Sequence, residues 1–210
     1  MINYFDYVKE FSILFQDLSK ELPWNVTANI QAILSKQLKN LGKEFVIKND
    51  IAIHKEAKIE EHVILKGPMI IHAGCFIGSH AYMRGGVFLA SKSSVGPGCE
   101  IKSSFILGSS LAHFNFVGDS ILGSGVNMEA GSIIANHYNE REDKKICVQI
   151  NGKVVETGVG KFGALVGDNT KIGANAVLSP GTILLPKSIV RRLELVDQSL
   201  LSNSSREYHF

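Results

Sequence analysis

The sequence has little cysteine, little proline and no long apolar run. Only three cysteines and five prolines occur in 210 residues. An odd number of widely spaced thiols (Cys75, Cys99, Cys147) makes no disulfide framework, and a reducing cytoplasm is the expected compartment. No apolar stretch reaches the roughly 18 residues of a membrane span, so no membrane association is expected. The opening MINYFDYVKEFSILF carries acids and lacks a basic leader segment, so no export is expected. Charge of one sign is also missing: 22 basic and 20 acidic residues leave a net +2. Without a basic block, nucleic acid is not an expected partner. At 45% hydrophobic, the chain can build one domain, or one domain with an appendage.

A repeat of six is present. Ile53, Ile59, Leu65, Ile71, Ile77, Met83, Leu89, Val95, Ile101 and Leu107 are aliphatic at every sixth position. Two residues earlier, Ile51, Ala57, Val63, Met69, Cys75, Ala81, Val87, Ser93, Cys99 and Phe105 are small or apolar. The rhythm returns at Leu122, Met128, Ile134 and again at Val166, Ile172, Leu178, Leu184, Val190. Period six suits neither an amphipathic helix nor a simple alternating strand. It suits short strands joined by tight turns, with the aliphatic residue inward and glycine or a small residue at the bend. Three such steps close a triangular coil, and stacked coils bury a continuous core. The expected fold is mainly β, a left-handed parallel β-helix; a β-sandwich with coincidental spacing is the competing fold.

Three further parts follow. Residues 1–45 are an N-terminal helical appendage. Tyr4, Phe5, Val8, Phe11, Leu14 and Leu18 fall at helical spacing, Pro23 breaks the run, and Asn25 caps a second helix ending near Leu41 and Gly42. This helical hairpin is expected on the N-terminal end of the β-helix, covering strand edges. The β-helix spans 46–192. Residues 137–162 lose the frame and flank an Asn151-Gly152 hairpin turn, predicting an excursion that reaches a neighbouring subunit. Residues 193–210 form a C-terminal tail, frayed after Leu201. Cys75 and Cys99 lie on different faces and read as core thiols.

The frame breaks after Leu107, where the next inward slot falls on His113, and it resumes at Leu122 three residues out of phase. A solenoid that places histidine in an apolar slot departs from its own rule, as functional sites do. A hydrogen-bonded structural histidine at a coil defect is the other reading.

The residues around this break resemble a family. AHFNFVGDS, GVNMEAGSIIANHY and KFGALVGDNTKIGANAVLSPGT, with GPMIIHAGCFIGSHAYMRGG and GCEIKSS upstream, are similar to the acetyltransferase domain of the bifunctional N-acetylglucosamine-1-phosphate uridyltransferase/glucosamine-1-phosphate acetyltransferases. Related sugar-1-phosphate nucleotidylyltransferases with β-helical C-terminal domains share these segments. The resemblance covers about residues 50–190. It does not extend to a nucleotidyltransferase domain: residues 1–42 carry no Gly-rich nucleotide loop, so nucleotidyl transfer is not expected. Phe116 stands where the family usually has tyrosine, and the stretch from Lys102 to His113 is one residue shorter.

The resemblance implies acetyl transfer from acetyl-CoA to an amino sugar or sugar phosphate, in a homotrimer with clefts between neighbouring β-helices. Such a reaction needs a base, oxyanion donors and a slot for the pantetheine arm. His113 suits the base, because an imidazole titrates near working pH. No cysteine sits in a reactive pattern, so direct attack on the thioester is expected. By resemblance, Arg84 and Lys102 bind the sugar's phosphate, and Phe116 and Asn127 line the acceptor site. By the same resemblance Ala130, Asn136, His137 and Ala174 contact acetyl-CoA, the alanines through backbone donors, and Arg192 or Arg191 holds the CoA phosphates. No metal is expected: His54 and His72 stack on one edge one coil apart, just outside the core, and His80 lacks the partners a zinc hydratase requires. A non-catalytic β-helical domain for sugar-nucleotide binding or assembly is the alternative function.

Overall fold

The computed structural model describes residues 2–198. The chain winds into a parallel β-helix with three faces. The first face stacks Ile51–His54, Met69–Ile71, 87–89, 104–106, Ile121–Leu122, Ala164–Val166 and Thr182–Leu184. The second stacks Lys58–Ile59, Phe76–Ile77, Ser94–Val95, Ser110–Leu111, Asn127–Met128, Lys171–Ile172 and Ile189–Val190. The third stacks Ile64–Leu65, 82–84, 100–102, Phe116–Gly118, Ile133–Ile134, Val177–Leu178 and Leu195–Val196. Because strands are parallel and in register, identical positions of successive coils form ladders about 4.8 Å apart. The aliphatic series predicted from the period lines the interior, where Ile77, Met83, Leu89, Val95 and Ile101 have no exposed surface.

The three-residue phase slip has a simple cause. Inward positions run Ile101, Ile106, Leu111, Val117 and Leu122, so three turns take five residues instead of six. Gly85 and Gly86 accommodate the matching register shift between Arg84 and Val87, with φ of 72° and 94°. At Gly86 a Cβ would also meet Ile30 at 2.8 Å, so a helix packs directly on the backbone there. Leu107, expected inside, instead faces outward, and Ile106 takes the inward slot.

The first face is buried on both sides. Its outward ladder, Ala52, Ile70, Phe88, Phe105, Ile121, Leu165 and Ile183, joins a second apolar cluster with the N-terminal residues. The N-terminal segment is less regular than its spacing predicts. It holds α1 (Lys9–Leu14) between two short 3-10 turns, Tyr4–Asp6 and Gln16–Leu18, then α2 (Pro23–Ala28) and α3 (Ile30–Leu38). Pro23 opens α2 as its first residue rather than ending a helix, since its missing N–H would be unpaired there anyway, and Leu22 rather than Asn25 precedes it as cap. The helices lie along the outer flank of the first face, not over the N-terminal end. Phe11 and Phe15 pack edge-on against Phe105 at 5.4 and 5.0 Å. The N-terminal edge is covered by Phe45–Lys48, which pairs antiparallel with Ile51–His54 across an Asn49-Asp50 turn at positive φ.

The excursion is real but folds back. Leu122 and Val166 are adjacent in register although 44 residues separate them, and residues 137–162 fill the gap. Cys147–Ile150 and Lys153–Glu156 form the predicted hairpin. Ile146, Val148 and Phe162 bury themselves in the flank cluster beside Trp24, docking the base of the excursion on its own chain, while the hairpin strand Lys153–Glu156 is exposed. The β-helix continues to Val196, past the expected boundary at 192. The expected fraying after Leu201 lies outside the described residues.

Cys75 and Cys99 are buried core thiols, and burial pushes Cys75 up to about 11. His54 and His72 do stack, but not in the open. Phe45 covers both edge-on at 5.2 and 5.3 Å, and burial lowers the His72 pKa.

Candidate functional site

The corner between the second and third faces collects four of the residues singled out above. Gly131 N–H donates to the His113 carbonyl, Asn175 N–H to that of Ala130, and Leu193 N–H to that of Ala174, each at 3.0 Å. His113, Ala130, Ala174 and Arg192 therefore occupy one ladder position on four consecutive coils. From His113 to Arg192 this track is roughly 14 Å long, three coil spacings. His113 is not in an inward slot. Leu111 fills that slot, and the five-residue steps carry His113 onto the turn, where its ring is exposed. Among the described residues its imidazole meets only the edge of the exposed Phe114 ring, at 5.9 Å.

Glu129, one residue before the track, occupies part of it. Its carboxylate accepts from Ala174 N–H at 2.9 Å and from Arg192 Nε at 2.9 Å. The Arg192 guanidinium, then the Ala174 N–H, hold this carboxyl below the usual carboxylate range. The Ala174 backbone donor is thus already engaged within the chain. Asn127 lies around the corner on the second face, in a shallow groove with Glu129, Lys171, Arg191 and Arg192.

The third face carries the remaining residues. Arg84 and Lys102 are neighbours in register, with Lys102 opposite Gly118. Each cation is paired: Arg84 with Glu100 at 2.7 Å, Lys102 with Asp119 at 2.8 Å. Asp119 also accepts from Asn136 Nδ2, and Asn136 Oδ1 lies 3.1 Å from His137 Nδ1. Phe116 is half-buried, in register with Glu100 and Ile133. Gly118 matters here because a Cβ would strike the Asn136 side chain at 2.8 Å.

One chain therefore brings His113, Ala130, Ala174 and Arg192 together, and joins Lys102 to Asn136 and His137. It leaves Asn127 on a different face. Glu100 and Glu129 were not expected as site residues. Glu100 could have been found as a carboxylate one coil from Arg84. Glu129 and Arg192 lie 63 residues apart, hidden by the excursion.

No family model matches the chain. The chain is 35% identical over 181 residues to the bifunctional sugar-1-phosphate nucleotidylyltransferase/acetyltransferase of Sulfurisphaera tokodaii, covering 83% of this chain and 44% of that protein. It is 37% identical over 189 residues to the bifunctional protein GlmU of Methanococcus maripaludis, covering 87% and 45%. The chain thus spans less than half the length of these curated relatives, and the resemblance read from the sequence holds. Among solved structures, the acetyltransferase domain of PglB from Neisseria gonorrhoeae in complex with acetyl coenzyme A is 16% identical, with a TM-score of 0.43 over 87% of this chain and 74% of that one.

Proposed function

We propose that the chain is an acetyl-CoA-dependent acyltransferase acting on an amino sugar or sugar phosphate, with His113 as general base. The observation that carries this reading is the corner track: an exposed imidazole, two alanines and an arginine at one ladder position on consecutive coils. The two alanines leave a strip beside the backbone that suits an extended pantetheine arm once the Glu129 carboxylate leaves the Ala174 N–H. Arg192, with Arg191 and Lys171 nearby, suits the phosphates at its far end. The thioester then lies by His113, whose neutral imidazole takes a proton from the attacking amine. Arg84 and Lys102 anchor the acceptor's phosphate, and Phe116 and Asn127 line its sugar. Sequence similarity to bifunctional sugar-1-phosphate nucleotidylyltransferase/acetyltransferases supports the same assignment.

The exposure of His113, and the placement of Asn127 on another face from Lys102, suit a cleft completed by a second copy. A cytoplasmic homotrimer with threefold symmetry is the closed arrangement this implies. No helix among the described residues is long and apolar enough to cross a membrane. Thioester consumption with a panel of amino sugars and their phosphates tests the activity. Turnover with at least one acceptor is expected; none would leave the binding-domain alternative. Light scattering tests the trimer, and a monomer at micromolar concentration would refute it.

A further inference from the structure

The corner that carries the track continues past His113 in the opposite direction. Phe114 N–H donates to the Pro97 carbonyl and Gly98 N–H to that of Ser79, each at 3.0 Å, so Pro97 and Ser79 are the next two rungs toward the N-terminal end. The residue after each rung takes a left-handed backbone: φ is 61° at His80, 66° at Gly98, 53° at Phe114, 69° at Gly131, 56° at Asn175 and 63° at Leu193. That region suits glycine, asparagine and histidine, and a bulky side chain is costly there. Phe114 carries a second cost, because it is 69% exposed and belongs to neither apolar cluster of the chain.

The ring is nevertheless seated. A Cβ at Gly98 would meet it at 2.5 Å, so the missing side chain lets Phe114 lean over the preceding coil. There it lies on the side of His113 away from Ala130. Its centroid is 5.9 Å from the imidazole, with the two rings nearly perpendicular at 87°. The exposed rings of His80 and His62 stack at 5.2 Å and 14° on the coils before Gly98. The strip from His113 to His80 is therefore two coil spacings long, about 10 Å.

A transferase brings two substrates to one base. With the donor's arm lying from Arg192 to His113 along Ala174 and Ala130, the coils before His113 are the side left for the acceptor. On that side Phe114 presents an aromatic face, whose negative quadrupole attracts C–H groups. A sugar ring offers C–H groups on its faces and hydroxyls on its rim. Resting on the acyltransfer reading above, we propose that Phe114 is a specificity-determining residue, holding the C–H face of the acceptor's sugar ring beside His113. The acceptor class is a cyclic amino sugar rather than an open-chain amine. This role accounts for a phenylalanine kept at a left-handed, exposed position that asparagine or glycine would fill at lower cost.

The test compares Phe114→Asn, Phe114→Leu and Phe114→Tyr in the full chain, with glucosamine and glucosamine 1-phosphate as acceptors. Asparagine suits the left-handed backbone, so Phe114→Asn should melt no lower than wild type. Leucine keeps an apolar side chain but loses the aromatic face, and tyrosine keeps the face. Phe114→Asn and Phe114→Leu should each raise the acceptor KM roughly tenfold, with the KM for acetyl-CoA unchanged, and Phe114→Tyr should stay near wild type. An unchanged acceptor KM in the first two variants, an equal loss for acetyl-CoA, or full activity in Phe114→Leu would overturn this proposal while leaving the acyltransfer reading intact. So would light scattering in which Phe114→Asn breaks up the wild-type assembly, since the ring would then be a contact between copies. A wild-type chain that transfers no acyl group to any amine would overturn both.

Discussion

The flank of the first face and the corner of the second and third faces are built from the same coils, yet they treat their outward residues oppositely. On the flank the outward ladder is apolar, from Ala52 to Ile183, and the chain's own helices and hairpin seal it. At the corner the outward ladder is histidine, two alanines and an arginine, and none of the described residues covers His113. Burial at roughly 25 cal/mol per Å² rewards the first arrangement and not the second. The flank therefore carries stability, and the corner is free to carry chemistry.

The largest effect expected on the flank comes from Phe105→Ala. Phe105 is fully buried against Phe11, Phe15 and Phe88, so the cavity should cost about 3–5 kcal/mol in denaturant unfolding. Turnover per folded molecule should stay the same. Lost turnover in a stable variant would break the separation of the two regions. Gly118→Ala sharpens it from the other side. Its new methyl meets Asn136, and the strain should cost about 1–3 kcal/mol while disturbing the Lys102–Asp119–Asn136 network. Unlike the flank variant, it should raise the KM for the acceptor.

Glu129→Ala should leave the melting temperature unchanged, since its pairing with Arg192 is a surface ion pair. It frees Arg192 and the Ala174 N–H, so calorimetry should find tighter acetyl-CoA binding; unchanged binding would remove the track from the cofactor site. The smallest effects are pH effects on the flank and first face. Burial, and then Asp168, raise the Glu10 pKa. Its contribution to stability is present below the ordinary carboxylate pKa and lost as pH rises through the raised one. Glu10→Gln should therefore raise the melting temperature slightly at neutral pH. His72 is the reverse case. Its pKa is lowered by burial and then by His54, so its contribution is present above about 6.5 and fades as pH falls through the lowered value. Melting temperatures measured from neutral to mildly acidic pH, with His72→Gln as reference, check that sign.

The interior of the β-helix was legible because its period is local: each aliphatic residue predicts the next. The flank was not. Phe105 appeared two positions before an inward slot, but the slip to Ile106 turns it outward, and only the helices packed there explain its size. The same slip moved His113 from an expected core slot to an exposed turn. Its candidacy survived because family motifs, not its frame position, mark it. The excursion's limits were visible in the lost frame, whereas its docking beside Trp24 depends on contacts between distant residues. Asn136 and His137 were singled out by motif alone. Their tie to Lys102 required knowing that the coil from Lys102 to Asp119 is short.

His113→Ala tests the central claim most directly, because an exposed ring can be removed without touching the core. Acetyl-CoA affinity and melting temperature should stay at wild-type values, while turnover with the best acceptor should fall on the order of 10²–10⁴-fold, the loss expected when a general base is removed. Near-normal turnover in the folded variant would contradict the assignment of the corner as the acyl-transfer site.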